Sequence, residues 1–232
     1  MAKQTFFVTG TDTEVGKTFV TVAMLQAMAK QGLKTLALKP VAAGAEDTPE
    51  GLRNEDALAL AGAMTLSLPY DQINPAVFRT PASPHISAAI DRKSTSISRL
   101  AGICRGAMMA SYDVGFIEGA GGWRVPVNDR ELLSQLPQAL QLPVILVVGM
   151  RLGCLNHAML TAEAIRRDGL DLAGWVANHI DPEMGFPEEN VNTLKGALQA
   201  PCLGIIPHSS CIGSAAPGDY IKTDFLLNAS AK

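Results

Sequence analysis

The sequence predicts an α/β domain whose mostly parallel sheet carries helices on both faces. Three observations predict it: short apolar runs recur along the chain, helix-periodic stretches separate them, and glycines and polar residues gather where the runs end. The runs cover residues 5–9, 35–39, 114–118, 144–149, 173–178 and 203–207. Most are apolar at consecutive positions, as strands covered on both faces must be. Stretches 17–31, 56–64, 98–111, 156–168 and 187–198 read as helices, the first stopping at Gly32. Strand alternating with helix implies parallel strands joined by right-handed crossovers. Residues 65–96 are rich in Pro and Ser and read as a long functional loop with short elements. No internal repeat or low-complexity linker divides the chain, so one domain over residues 1–232 is expected.

Composition bounds the partners. The chain is 47% hydrophobic and 18% charged, enough apolar material for a core and enough charge for solubility. A net charge of -3 with no run of Lys or Arg argues against nucleic acid or an anionic membrane as partner. The first residues lack the basic flank and long apolar core of a signal peptide, and the apolar stretch 6–8 is too short to span a bilayer. The cytoplasm is the expected compartment. Cys104, Cys154, Cys202 and Cys211 form no CxxC pair and are expected as free thiols. His85, His157, His179 and His208 lack a metal-ligand spacing and read as polar or packing residues.

The strongest chemical signal is residues 10–18, Gly-Thr-Asp-Thr-Glu-Val-Gly-Lys-Thr. It follows an apolar run and opens a helical stretch, the context that a phosphate-binding loop requires. Main-chain N–H groups from Glu14, Val15 and Gly16 to Lys17, Thr18 and Phe19 are placed to face an anion, and the helix dipole adds attraction. Lys17 supplies a point charge for β- and γ-phosphates, and the Thr18 hydroxyl a ligand for Mg²⁺. The loop departs from the common G-x-x-x-x-G-K-[ST] spacing, with its first glycine one position early and Thr11 in the usual place. ATP with Mg²⁺ is the expected ligand.

Further candidates stand at the ends of other runs. Glu118 closes Val114-Gly115-Phe116-Ile117, as a Walker-B carboxylate does, and its strand end should lie near the loop. Asp56 suits a metal ligand and equally an ordinary acid in the first turn of a helix. Lys39 ends the strand that directly follows the loop's helix, so it should adjoin the phosphates and stabilise a transferring phosphoryl group or an anionic substrate. A lysine before a proline can also simply point into solvent. Gly119, Ala120 and Gly121 can bring N–H groups close to an anion. Asn178 offers a donor and an acceptor to an adenine edge, though a strand-end turn uses asparagine as often.

Taken in order, these blocks resemble the dethiobiotin synthetase family. The likeness runs through the loop at 10–18 with its extra residue, Leu38-Lys39-Pro40-Val41-Ala42, Thr48-Pro49-Glu50-Gly51-Leu52-Arg53-Asn54, Asp56-Ala57-Leu58, Ser83-Pro84-His85, Glu118-Gly119-Ala120-Gly121-Gly122-Trp123, Leu152-Gly153-Cys154-Leu155-Asn156-His157-Ala158 and Gly174-Trp175-Val176-Ala177-Asn178. It covers the chain to about Pro207 and is weaker beyond. The resemblance implies an ATP-dependent cyclo-ligase that joins CO₂ to 7,8-diaminononanoate and closes a cyclic urea. It implies Lys17, Lys39 and Thr13 at the reacting anions, and Mg²⁺ on Thr18, Asp56 and Glu118. It places adenine against Asn178, His179 and the backbone of Pro207, His208 and Ser209. It puts the diamine against Thr13, Lys39 and Ala43, and the substrate's tail against Gly153, Cys154, Leu155 and Asn156 of the second subunit of a homodimer.

The chain departs from the family in places. Ala43 stands where many members have a Ser that touches the diamine, and Ser214 where some have an acid near the ribose. Residues 124–129, Arg-Val-Pro-Val-Asn-Asp, resemble a paralogous branch as much as the main one. The alternative reading is a paralogous ATPase of the same fold with a shifted substrate or a partner-switching role. Partitioning ATPases of that group carry a signature lysine five residues before the loop lysine; here that position is Asp12.

Overall fold

A computed structural model describes residues 3–208 and 216–227. Ser209, Cys211 and Ser214 lie outside the described residues. The sheet has six strands in the order β10-β9-β8-β1-β7-β2. These are β1 (Gln4–Gly10), β2 (Thr35–Leu38), β7 (Val114–Glu118), β8 (Val144–Met150), β9 (Leu172–His179) and β10 (Cys202–Ile206). Every pairing is parallel, so all the carboxyl ends share one edge. Each predicted apolar run is one of these strands. All seven residues of β8 are buried, which is why its sequence is an unbroken apolar run.

Helices α1 (Lys17–Lys30), α2 (Glu55–Ala63), α5 (Ile97–Ala107), α7 (Cys154–Arg167) and α8 (Pro187–Ala197) match the predicted stretches, with two shifts. The α5 helix ends before Ser111 because the chain turns at its end. Met109 N–H donates to the Gly106 carbonyl, and Lys3 Nζ donates to the carbonyls of Met108 (3.2 Å) and Ala110 (2.7 Å). The α7 helix begins at Cys154, two residues before Asn156, because Gly153 takes the left-handed conformation (φ 95°) that lets the chain turn directly from the strand edge into the helix.

Residues 65–96 are a long connection with short elements, as the sequence predicts. They contain α3 (Tyr70–Ile73), β6 (Ala76–Val77) and α4 (Pro84–Ile90), and β6 pairs with β3 (Val41–Ala42) in a small separate ladder. A hairpin of β4 (Glu46–Thr48) and β5 (Gly51–Arg53) precedes α2. The short helix α6 (Gln135–Leu140) leads into β8, and α9 (Asp224–Leu227) follows a 3₁₀ turn at Pro217–Tyr220.

The core lies on both faces of the sheet. Phe6 and Phe116, register partners on β1 and β7, stack with ring centroids 6.1 Å apart. The α1 helix is buried around most of its girth, because the Pro217–Tyr220 turn and α2 pack on it in addition to the sheet. That turn sits on β10 at very short range. A Cβ at Gly204 would lie 2.6 Å from the Tyr220 carbonyl oxygen, which is backbone and cannot swing aside. Gly102, exposed within α5, has nothing within 4 Å of its would-be Cβ. Gly204→Ala is therefore expected to lower unfolding free energy by about 1–3 kcal/mol through overpacking. Gly102→Ala should raise it by about 0.5–1 kcal/mol. Denaturant midpoints measure both, and equal shifts would refute the packing described.

Candidate active site

The turn after β1 is built for close approach. Glu14 (φ 57°) and Gly16 (φ 79°) both adopt left-handed backbone, and α1 starts at Gly16 with no side-chain cap and no acid in its first turn. Its first N–H groups are thus left for an anion. Val15, 1% exposed, wedges the loop against the sheet. A Cβ at Gly10 would meet Val15 Cγ2 at 2.6 Å, and one at Gly149 would meet Val15 Cγ1 at 2.8 Å. Asn178 Nδ2 donates to the Val15 carbonyl (2.9 Å) and lies where a Gly16 Cβ would stand, 2.2 Å away. One N–H of the amide expected to read adenine is thus committed to holding the loop. Phe19 packs half-buried against the core.

Four ionisable side chains and a hydroxyl meet at the carboxyl edge. Glu118, fully buried, accepts through Oε1 from Thr18 Oγ1 (2.7 Å) and from Lys39 Nζ (2.6 Å). Lys39 Nζ also donates to Asp56 Oδ2 at 2.8 Å. The strand expected to bring Lys39 beside the loop in fact pairs with β7 and not with β1. Lys39 therefore reaches the loop across Glu118, and its side chain is buried, not turned to solvent. Asp56 is a first-turn acid of α2 and a member of the cluster at once; Asn54 caps that helix by accepting from Ala57 N–H at 3.3 Å.

The electrostatics follow from burial and company. Burial pushes the Lys17 ammonium down to about 8, and the neighbouring Lys39 charge adds to this against the pull of Glu118, Asp56 and Asp12. Burial opposes the charge on Lys39 too, but Glu118 and Asp56 outweigh it and hold its pKa above the ordinary lysine value. Burial acts to raise Asp56, yet Lys39, Thr18 and Lys17 together keep it below the usual carboxylate range. Glu118 Oε2 is buried with no hydrogen-bond partner. An orphaned carboxylate oxygen, a hydroxyl and a second carboxylate are a hard, all-oxygen donor set, which fits Mg²⁺ and not a soft metal.

The glycine segment after β7 packs against the loop. Gly119 N–H donates to the Val8 carbonyl (2.9 Å), Gly121 is left-handed (φ 62°), and a Cβ on it would lie 3.5 Å from Thr13 Cγ2. Trp123 and Arg124 anchor the segment, because both donate to Asp168 at the end of α7 (2.8 Å from Trp123 Nε1, 2.6 and 2.8 Å from Arg124). Sequence reasoning missed Asp168, whose helix-end position carries no signal of this role. It also passed over Asn54, which an asparagine before two acids at a helix start does signal.

The remaining candidates fall in two places. His179, Pro207 and His208 line a cleft of about 580 Å³ at the carboxyl ends of β9 and β10, with Met184, Val191 and Tyr220 as its apolar wall. Burial lowers the His179 pKa. Gly153, Cys154, Leu155 and Asn156 stand at the start of α7. Gly153 is the N-cap of that helix with no side-chain cap, and Asn156 is exposed beside it. Arg151 ties the same corner to the phosphate loop, with Nη2 2.7 Å from Asp12 Oδ2. Ala43 is half-buried, and its carbonyl accepts from Asn54 Nδ2 (3.2 Å).

A family model described as an AAA domain matches residues 4–215. An ATP-dependent dethiobiotin synthetase of Cellvibrio japonicus is 51% identical over 229 residues, 99% of this chain and 100% of that one. The counterpart from Marinobacter nauticus is 55% identical over 208 residues, 89% of each. The chain belongs to the dethiobiotin synthetase family. Among solved structures, the fold of this family member is shared with MinD of Aquifex aeolicus (TM-score 0.55, 16% identity, 97% of this chain and 94% of that one). It is also shared with a signal recognition particle receptor, FtsY, of Elizabethkingia anophelis (TM-score 0.58, 16% identity), where 99% of the chain spans 64% of the receptor.

The depressed Lys17 pKa generates a pH dependence. The ammonium form attracts phosphate, so nucleotide affinity should be flat below about pH 8 and fall as pH rises further. Binding a polyanion restores the ordinary lysine pKa, so binding at pH 8.5–9 must take up a proton. Calorimetry in two buffers of different ionisation enthalpy measures that uptake; zero uptake there would show that Lys17 is not desolvated as described.

Proposed function

We propose that the chain carries out the ATP-dependent ring closure of 7,8-diaminononanoate with CO₂, giving dethiobiotin, ADP and phosphate. The family's role, an ATP-dependent step of biotin synthesis, frames the reading. The observation that carries it is the meeting of Lys17, Thr18, Lys39, Asp56 and Glu118 at one sheet edge beside an uncapped helix start.

One amine of the substrate adds to CO₂ and loses a proton, giving a carbamate. A carbamate oxygen attacks the γ-phosphorus and ADP leaves, forming a carbamic–phosphoric anhydride. The second amine attacks the anhydride carbonyl, phosphate leaves, and a second proton is released as the urea closes. The difficulty lies in bringing the carbamate and γ-phosphate together, since both are anions. Lys17 and Lys39 offset that repulsion and position the oxygens, which is most of what phosphoryl transfer requires of a protein. Thr13 and the N–H groups of Ala120 and Gly121 face the same oxygens; the Gly119 N–H, expected among them, is held by the Val8 carbonyl instead. Thr18, Asp56 and Glu118 would hold Mg²⁺, which supplies charge neutralisation at the β- and γ-phosphate oxygens. Asn178, His179, Pro207 and His208 bound the base; Ser209 belongs to the same reading.

The site reading extends to a homodimer. Beside Gly153, Cys154, Leu155 and Asn156, the corner exposes Leu152 (96%), Met159 (38%) and Leu160 (56%), apolar surface suited to a second copy. The tail carboxylate of the substrate then meets the α7 start of the other subunit, away from the triphosphate. No helix among the described residues is long and apolar enough to cross a membrane, and a cytoplasmic location is part of the proposal.

Two experiments test it. Lys39→Ala should cost turnover by roughly a thousandfold or more, as removal of a transition-state charge partner does, while ATP affinity changes far less. Urea formation from ATP, bicarbonate and the diamine is the assay, and near-normal turnover removes Lys39 from the reaction. In the same assay, Asp56→Asn should raise the Mg²⁺ concentration needed for half-maximal rate. For the dimer, mixing Lys39→Ala subunits with Asn156→Ala subunits should restore activity through one intact site per heterodimer. A monomeric active enzyme in sedimentation experiments would exclude the shared site.

A further inference from the structure

The partners Lys39 and Asp56 lie on separate elements, and one hydrogen-bonded circuit ties their backbones together. Lys39 N–H donates to the Ile73 carbonyl (2.8 Å), and the Lys39 carbonyl accepts from Asn74 Nδ2 at 2.6 Å. Asn74 Oδ1 accepts from the Tyr70 hydroxyl (3.0 Å), whose oxygen accepts in turn from Asn54 N–H (2.7 Å). Asn54 caps α2, whose first turn carries Asp56, and the circuit closes at the Lys39 Nζ–Asp56 Oδ2 contact. Asn54 and Asn74 are 7% and 2% exposed, so water does not substitute for their bonds. The Arg53 guanidinium lies 4.2 Å over the Tyr70 ring and holds it in place. Tyr70 comes from the 65–96 stretch, which the sequence marked as functional without naming a residue.

We propose that Tyr70 is a positioning residue of the active site: its hydroxyl, through Asn74 and Asn54, sets where Lys39 stands relative to Asp56 and Glu118. The inference rests on the proposed role of Lys39. The bonds of the circuit do not involve the 10–18 loop or the cleft at β9 and β10. Losing the hydroxyl should therefore disturb the reacting geometry and spare nucleotide binding.

Tyr70→Phe keeps the ring and its Arg53 contact but leaves Asn54 N–H and Asn74 Oδ1 unpaired. The expected result is a kcat at least about tenfold lower with a nucleotide Kd within about twofold of the parent. Asn74→Ala cuts the circuit at its next link, should give the same split, and carries the test if the Tyr70 variant does not fold. Tyr112→Phe is the control. It removes a hydroxyl that meets Thr5 Oγ1 at 2.8 Å at the opposite end of β1, and should keep full kcat. Each variant is assayed well below its own melting temperature. A folded Tyr70→Phe enzyme with kcat within about twofold of the parent, beside an inactive Lys39→Ala, overturns the inference alone. Loss of kcat and nucleotide affinity together, matching the folded fraction, marks a merely structural role and overturns it too. Normal turnover by Lys39→Ala overturns the reading beneath it.

Discussion

The contact between Lys39 Nζ and Glu118 Oε1, 2.6 Å long with the side chains 4% and 0% exposed, constrains much of the rest of the molecule. Two charges taken out of water lose several kcal/mol of hydration each, and their mutual attraction recovers this only with good geometry. Removing Lys39 leaves the buried Glu118 without its paired cation, and breaking a buried pair in this way costs about 3–5 kcal/mol. Such a pair is a poor device for stability. It is a good device for holding charge ready at one point, because the surroundings are already oriented before any ligand arrives. The order of strands makes the contact possible. Placing β7 between β1 and β2 sets the carboxylate between the phosphate loop on one side and the lysine on the other.

The phosphate loop beside that pair is closely packed. Gly10 and Gly149 leave room for Val15, Gly16 leaves room for the Asn178 amide, and none of these places admits a Cβ without a shift. The result is a loop whose backbone is fixed from below by an apolar wedge and from the side by a hydrogen bond, so that its N–H groups stay open on the third side. The lysines and the acids on the cluster are equal in number: Lys17 and Lys39 against Asp56 and Glu118. Burial and the neighbouring Lys39 charge bring Lys17 to a pKa of about 8, while Glu118 and Asp56 keep the proton on Lys39.

The strands were legible because burial on both faces forces an apolar run, and the phosphate loop because its chemistry compresses into consecutive residues. Asp56 had two readings in sequence, first-turn helix acid or metal ligand; the structure puts it in the first turn of α2 with its carboxylate on Lys39. Lys39 was legible as a strand-end residue, but its route to the site was not, since strand order is a property of the whole sheet. The circuit of Asn54, Tyr70 and Asn74 was hidden for a related reason. Its members are scattered over two short elements and a turn, and no period or spacing in sequence encodes a side chain that bonds a backbone group in another segment. The start of α7 was hidden for a local reason: the left-handed Gly153 begins the helix two residues before Asn156, where the periodic stretch starts.

Fold alone leaves the chemistry open. A cell-division protein and a targeting receptor share this architecture at 16% identity, and what separates the readings is charge at particular positions. Position 12 is informative. Where partner-switching ATPases of this fold group carry a lysine, the chain has Asp12, whose carboxylate accepts from Thr13 N–H at 2.8 Å and pairs with Arg151 of its own chain. The Thr13 hydrogen bond, helped by Arg151 and opposed by burial, holds that carboxyl below its ordinary range, so it is an anion at neutral pH. Its main-chain carbonyl meanwhile accepts from Lys17 Nζ at 3.2 Å. An acid so placed cannot lend positive charge to a phosphate across an interface. In the proposed reaction Lys17 and Lys39 supply that charge from within the chain, from two positions on either side of Glu118. Two cations on either side of a carboxylate suit a reaction that must bring two anions together, which hydrolysis of a nucleotide by water does not require.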